Sequence, residues 1–257
     1  MIKAAFFDLD ETIYSFKEHR VPASTLRAFQ LMKDKGVLTF LCTGRSKTEI
    51  GQINLGGLQL TGTMSSCGQI VYDDKGRLIY ERPFSDELKK EVVRLFDEKK
   101  IATYLLTYDD LYLNFCDDNV IQIQKDVGID VPPVKPYHGE KIYMASSYFH
   151  DEKEMEIIFS LRKIATVTYW HKRAIDILPI GASKSSGIDE VIKKYGIDIS
   201  ETIGFGDGEN DLEMVKHCGI GVAMGNSAQI VKDNADFVTT DITADGIYNA
   251  CVHYHLI

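Results

Sequence analysis

The sequence predicts a doubly wound α/β core built on a parallel sheet and interrupted by an inserted α+β domain. Short apolar runs rich in β-branched and aromatic residues end at a Gly or an Asp. Segments of helical periodicity fall between them. The middle of the chain breaks this alternation with a hairpin-like pair of runs. At 257 residues, the chain has room for one domain carrying a large insertion or for two unequal domains.

In chain order, residues 4–8 are apolar up to Asp8 and read as a strand buried on both faces. Segment 23–35 sets Leu26, Phe29 and Met32 on one helical face, with Gly36 as its stop. Run 37–42 is the next strand. Ser85 then caps a helix whose apolar positions are Leu88, Val92, Leu95 and Phe96. Runs 102–108 and 111–115 are joined across Asp109-Asp110 as a hairpin. After Pro132, Pro133 and Pro136 come strand 141–147, helix 152–163 and strands 166–170 and 174–178. Alternation resumes with helix 184–195 closed by Gly196, strand 202–205, helix 211–218 closed by Gly219, and strands 219–224 and 236–239. Hairpins do not belong in a parallel sheet, so residues 83–181 are assigned to the insert and residues 1–82 with 182–257 to the core. Pro83 and Pro179-Ile180-Gly181 are the expected hinges.

Composition narrows the function. Hydrophobic residues make up 44% and charged residues 26%, as in ordinary folded domains. A net charge of −9 disfavours nucleic acid and anionic membranes as partners, so a phosphorylated ligand would need a strong local cation. The five cysteines, Cys42, Cys67, Cys116, Cys218 and Cys251, form no C-x-x-C pair and indicate neither a disulfide framework nor a zinc site. The apolar start is too short for a signal or membrane segment, which makes the cytoplasm the expected location.

Three motifs sit where strands end. Asp8-Leu9-Asp10-Glu11-Thr12 puts two carboxylates at the carboxyl edge of the sheet, where open α/β folds bind ligands. One can attack or bind metal while the other moves protons; a polar loop cap is the alternative reading. Cys42-Thr43-Gly44-Arg45 offers a hydroxyl and an amide to an anion at a helix start, or is a plain helix entry with a solvated Arg45. Gly204-Phe205-Gly206-Asp207-Gly208-Glu209-Asn210-Asp211 brings hard oxygen ligands together on glycines that allow close approach, a set suited to Mg²⁺. As a bare turn it would only cap the next helix.

Taken together, the motifs resemble the haloacid dehalogenase superfamily of phosphohydrolases, and within it the Cof-type group with a large cap inserted between the second and third motifs. Asp8, Asp10 and Thr12 match its D-x-D-x-T, Thr43 its Ser or Thr, Lys184 its lysine, and Gly206, Asp207, Asn210 and Asp211 its G-D-x-x-N-D. The resemblance spans essentially the whole chain. It implies a Mg²⁺-dependent phosphatase in which Asp8 becomes phosphorylated and Asp10 serves as acid and then base. It also implies that Asp8, the Asp10 carbonyl and Asp207 hold the metal, with Asp211 supporting the metal or Lys184. Thr43, Gly44, Lys184 and Asn210 would steady the phosphoryl group, and the substrate would be a small phosphorylated metabolite, a sugar phosphate or a cofactor. A phosphomutase of the same superfamily is the alternative enzyme, and a noncatalytic sensor of phosphorylated ligands the alternative of another class.

Two positions depart from the family pattern: Glu11 stands where glycine is common, and Cys67-Gly68 where Asn-Gly is common. Glu11 is expected to add an acid near the substrate entrance. The remaining features read as scaffold: His171-Lys172-Arg173 as a hairpin tip, Trp170 and the tyrosines as cap core, His253 and His255 as surface.

Overall fold

The computed structural model describes residues 1–126 and 129–257. Its strands are β1 (Ala4–Phe7), β2 (Leu38–Cys42), β3 (Gly62–Ser65), β4 (Ile70–Asp73), β5 (Leu78–Glu81), β6 (Ala102–Leu106), β7 (Leu111–Leu113), β8 (Met144–Tyr148), β9 (Ala165–His171), β10 (Ala174–Pro179), β11 (Thr202–Gly206), β12 (Ile220–Ala223) and β13 (Phe237–Val238). The chain divides into two compact units. One holds Met1–Arg45, Glu49–Glu81 and Ser183–Ile257; the other holds Arg82–Ala182 with Ser46–Thr48.

The first unit is built on an eight-stranded sheet in the order β13-β12-β11-β1-β2-β3-β4-β5. Residues of β1 are buried without exception because helices cover both faces, which is why the run is apolar throughout. Phe7 points into the cluster with Phe29, Met32, Phe205 and Ala250, and its ring stacks on Phe205 at 4.5 Å. Phe6 points the other way, with Phe40, Ile188, Val191 and Met214. Helices Ala23–Asp34 and Gly246–His253 therefore lie on one face, and Lys184–Tyr195 and Leu212–His217 on the other, the doubly wound arrangement. Pairing is parallel from β13 to β3.

The sheet is mixed, however: β4 and β5 extend it antiparallel, so a hairpin does belong to the core. In β3 the sequence is Gly-Thr-Met-Ser, fully buried with little apolar character, and its pairing with β2 rather than its composition makes it a strand.

Register positions the site. Ala4 of β1 pairs with Leu38 of β2 and with Thr202 of β11, so the three strands run level and their carboxyl ends emerge side by side. Those ends carry Asp8, Thr43 and Asp207.

In the second unit, the sheet is antiparallel in the order β7-β6-β8-β10-β9. Helix Asp86–Glu98 is capped by Ser85, whose hydroxyl accepts the Leu88 N–H at 3.2 Å. Its Leu88, Val92, Leu95 and Phe96 are buried with Leu105, Ala145 and Ile175 of the sheet and Ile158 of helix Glu152–Phe159. A further helix, Asp118–Asp126, was not anticipated; Asp117 caps it by accepting the Val120 N–H. Trp170 is part-buried in this unit and donates its indole N–H to Ser146 Oγ at 2.7 Å. Among the described residues, no helix is long and apolar enough to cross a membrane.

Candidate active site

Asp8 leaves β1 in strand register, its N–H donating to the Phe205 carbonyl at 2.9 Å, and is buried. Asp207 follows β11, and Asp211 lies one turn later at the start of helix Leu212–His217. One carboxylate oxygen from each of Asp8, Asp207 and Asp211 falls within 4.8 Å of the others. Gly206 permits this, because a Cβ there would overlap the Asp211 side chain.

Lys184 opens helix Lys184–Tyr195, where a lysine is ordinarily solvated. Here it is buried, and its ammonium donates to both Asp8 Oδ1 and Asp211 Oδ1. Burial alone would lower its pKa, but Asp211 and Asp8 outweigh that and raise it, so the group stays charged. Asp211 spends its other oxygen on the N–H groups of Asp207 and Gly208, each at 3.0 Å. Both of its oxygens are thus engaged in holding Lys184 and the loop.

Were all three carboxylates ionised, the one ammonium would leave two negative charges crowded together. Burial, with Asp211 next, raises the Asp8 carboxyl well above its ordinary value despite Lys184. Burial and then Asp211 bring Asp207 up to about 7, opposed by a 2.9 Å hydrogen bond from Thr12 Oγ1. A hard divalent cation would relieve this charge, and the all-oxygen donor set fits Mg²⁺.

Asp10 lies outside the cluster. Its carboxylate accepts from Arg45 Nε at 2.9 and 3.1 Å, so its side chain is not among the clustered oxygens. Arg45, read from sequence as a solvated side chain or a plain helix entry, is instead part-buried on Asp10 across 35 positions of chain. Thr43 is buried; its N–H donates to the Met64 carbonyl at 2.9 Å and its Oγ1 accepts the Arg45 N–H at 3.1 Å. Gly44 follows it, beside Cys67. Asn210 is exposed on the short turn Glu209–Asp211.

Glu11 has a φ of 56°, the left-handed conformation that explains why glycine is common there. Its carboxylate turns back to accept the Phe16 N–H at 2.8 Å. Asn226 was missed from sequence: it donates to the Glu11 carbonyl at 2.8 Å and accepts the Ile242 N–H at 3.0 Å, tying the loop after β1 to the far end of the sheet. A lone asparagine after a strand gave no spacing signal.

With this fold and carboxylate cluster in view, the chain falls in a known class: it matches the haloacid dehalogenase-like hydrolase family over residues 5–251 and belongs to that family. It is an enzyme of the phosphoric monoester hydrolase class that the family's phosphatases represent. The Bacillus subtilis protein YkrA, provisionally named a phosphatase, is 32% identical over 248 residues, 95% of each chain. A 5-amino-6-(5-phospho-D-ribitylamino)uracil phosphatase of B. subtilis, YitU, is 28% identical and covers 93% of each. Among solved structures, a superfamily phosphatase from Bacteroides thetaiotaomicron superposes with a TM-score of 0.89 at 30% identity, covering 100% of this chain and 96% of that one. A subclass IIB sugar phosphatase gives 0.84 at 31% identity, covering 99% and 100%.

Proposed function

We propose that the chain is a Mg²⁺-dependent phosphatase of small phosphorylated metabolites, working in the cytoplasm through an aspartyl-phosphate on Asp8. The observation that carries the reading is the buried carboxylate of Asp8, held on a lysine beside two further acids at the end of the central strand. Mg²⁺ on Asp8, Asp207 and the Asp10 carbonyl would neutralise charge on the phosphoryl oxygens.

The chain's own groups do the rest. A carboxylate oxygen of Asp8 forms a bond to phosphorus as the ester P–O bond breaks, and Asp10 gives its proton to the departing alkoxide. Asp10 then takes a proton from water as the water oxygen attacks phosphorus, releasing inorganic phosphate and restoring Asp8. Lys184 and Thr43 hold the phosphoryl oxygens, with Gly44 and Asn210 beside them, so much of the rate comes from placement and charge. YitU acts on a phosphorylated ribityl compound and the subclass IIB neighbour on sugar phosphates, which supports a phosphorylated sugar or cofactor as substrate here.

The test is phosphate release from a panel of phosphometabolites with and without Mg²⁺. Release should require Mg²⁺, vanish in Asp8→Asn with the fold intact, and be inhibited by beryllium fluoride as a mimic of phosphoryl on a carboxylate. Full activity in excess chelator would refute the reading. Transfer of phosphate to a second substrate hydroxyl instead of water would make the enzyme a phosphomutase.

A further inference from the structure

Between β3 and β4 the chain makes a turn, Ser66–Gly68, in which three successive residues take positive φ: Ser66 at 53°, Cys67 at 53° and Gly68 at 84°. Two of them are L-residues that resist this conformation. Ser66 is fully buried, and its hydroxyl finds no hydrogen-bond partner among the described residues. A connection needed only to join two strands would avoid both costs with Asn-Gly or Gly-Gly.

The turn touches two catalytic segments at once. On one side, the Ser66 N–H donates to the Arg45 carbonyl and the Cys67 N–H to the Thr43 carbonyl, each at 3.0 Å. A Cβ added to Gly44 would stand 3.4 Å from the Cys67 sulfur. On the other side, Gly68 meets the first turn of the Lys184 helix backbone to backbone. A Cβ on Gly68 would come 2.7 Å from the Ser183 carbonyl oxygen, and one on Gly187 would come 2.8 Å from the Gly68 Cα. Those are overlaps with main chain, which cannot rotate away.

We propose that the left-handed turn Ser66–Gly68 is a positioning element, fixing the separation between the Thr43-Gly44 loop and the Lys184 ammonium. The two segments lie far apart in sequence and on different strand–helix connections. The turn is hydrogen-bonded to one and in main-chain contact with the other, so its left-handed path sets the gap that a phosphoryl group must fill. Gly68 and Gly187 are required for the approach, and Cys67 supplies an unbranched side chain that fills the space beside Gly44. This rests on the phosphatase reading, and misplacement by about 1 Å costs rate on the order of a hundredfold.

The experiment measures kcat, KM, the Mg²⁺ concentration for half-activity and thermal unfolding for the full chain with a small aryl phosphate. Gly187→Ala and Cys67→Val should lower kcat by about tenfold or more while leaving the Mg²⁺ requirement unchanged, because the turn's hydrogen bonds and main-chain contacts run to Thr43, Arg45, Ser183 and Gly187. Cys67→Asn, which accepts a positive φ, should stay within about twofold of the parent. Folded Gly187→Ala and Cys67→Val proteins that keep the parental kcat would overturn the proposal, as would an equal loss in Cys67→Asn. Should the parent itself show no turnover, the phosphatase reading fails, and a crystal structure of Gly187→Ala decides the positioning role. Lys184 displaced from Asp8 and Asp211 supports it, and undisturbed ion pairs overturn it.

Discussion

Asp10 and Asp207 belong to the same edge of the sheet but meet different partners, and their variants should separate accordingly. Asp207→Asn is expected to weaken Mg²⁺ binding most, because its carboxylate faces Asp8 and Asp211. Asp10→Asn should cut turnover strongly at nearly unchanged Mg²⁺ dependence, since its side chain is turned to Arg45. Identical Mg²⁺ titrations of the two variants would void that division. A pH dependence follows from Asp207, whose carboxyl is raised to about 7 by burial and then by Asp211. A raised folded pKa means that this group favours the fold below its unfolded value near 4, and that its contribution is lost as pH rises through 7. Mg²⁺ held as proposed would compete with that proton. Stabilisation by Mg²⁺, read as the difference in Tm with and without chelator, should therefore be larger at pH 8 than at pH 5.5; an equal difference would contradict it. The acids of the site were visible in sequence because each motif follows a strand, but their pairings were not. Lys184 was read through its motif alone, and nothing in a helix-opening lysine announced a buried ammonium. The Arg45 contact with Asp10 is made by the fold, across 35 positions, where no local pattern reaches.

At the scale of single elements, helix Asp86–Glu98 offers a clean measurement at each end. Ser85→Ala removes the cap on the Leu88 N–H and should cost about 1 kcal/mol. At the other end, Lys99 holds a φ of 51°, so Lys99→Gly should gain about 0.5 to 1 kcal/mol by relieving the left-handed conformation. Shifts of the urea midpoint in opposite directions are expected, and a destabilised Lys99→Gly would show that the lysine side chain outweighs its backbone strain. This helix was legible because its apolar positions repeat at helical spacing and its cap is a serine. The central strands were legible for a related reason: burial on both faces makes β1 apolar throughout and leaves β2 and β11 with one threonine each as their polar residue. Elements whose form depends on tertiary partners were missed. β3 is small and polar yet buried, and β5 is exposed or half-buried along its length, so neither carries the pattern of a core strand. The Asp118–Asp126 helix had a readable cap in Asp117, which the acidic run of Asp117 and Asp118 disguised as a loop.

For the whole molecule, the arrangement of chemistry along the chain is the strongest guide to what the inserted unit does. Asp8, Asp10, Thr43, Lys184, Asp207, Asn210 and Asp211 all lie in the unit formed by Met1–Arg45, Glu49–Glu81 and Ser183–Ile257, so Arg82–Ala182 supplies none of these groups. That second unit nevertheless has its own hydrophobic core, centred on Leu88, Leu105, Ala145 and Ile175, and holds together on its own contacts. We propose that this inserted unit, which has a core of its own but none of these groups, selects among leaving groups and excludes bulk water during the reaction. Replacing residues 82–182 with a short linker should then remove preference among natural phosphoesters while sparing hydrolysis of a small activated aryl phosphate, whose leaving group needs little recognition. The measurement is kcat/KM for a preferred metabolite and for the aryl phosphate in both proteins, with the unfolding transition of the shortened chain as the check that its sheet persists. Loss of the metabolite rate with retention of the aryl phosphate rate assigns specificity to the inserted unit. An unchanged ratio in a folded, shortened chain would move specificity to the loops around Glu11 and Arg45, the second of which sets its side chain on Asp10.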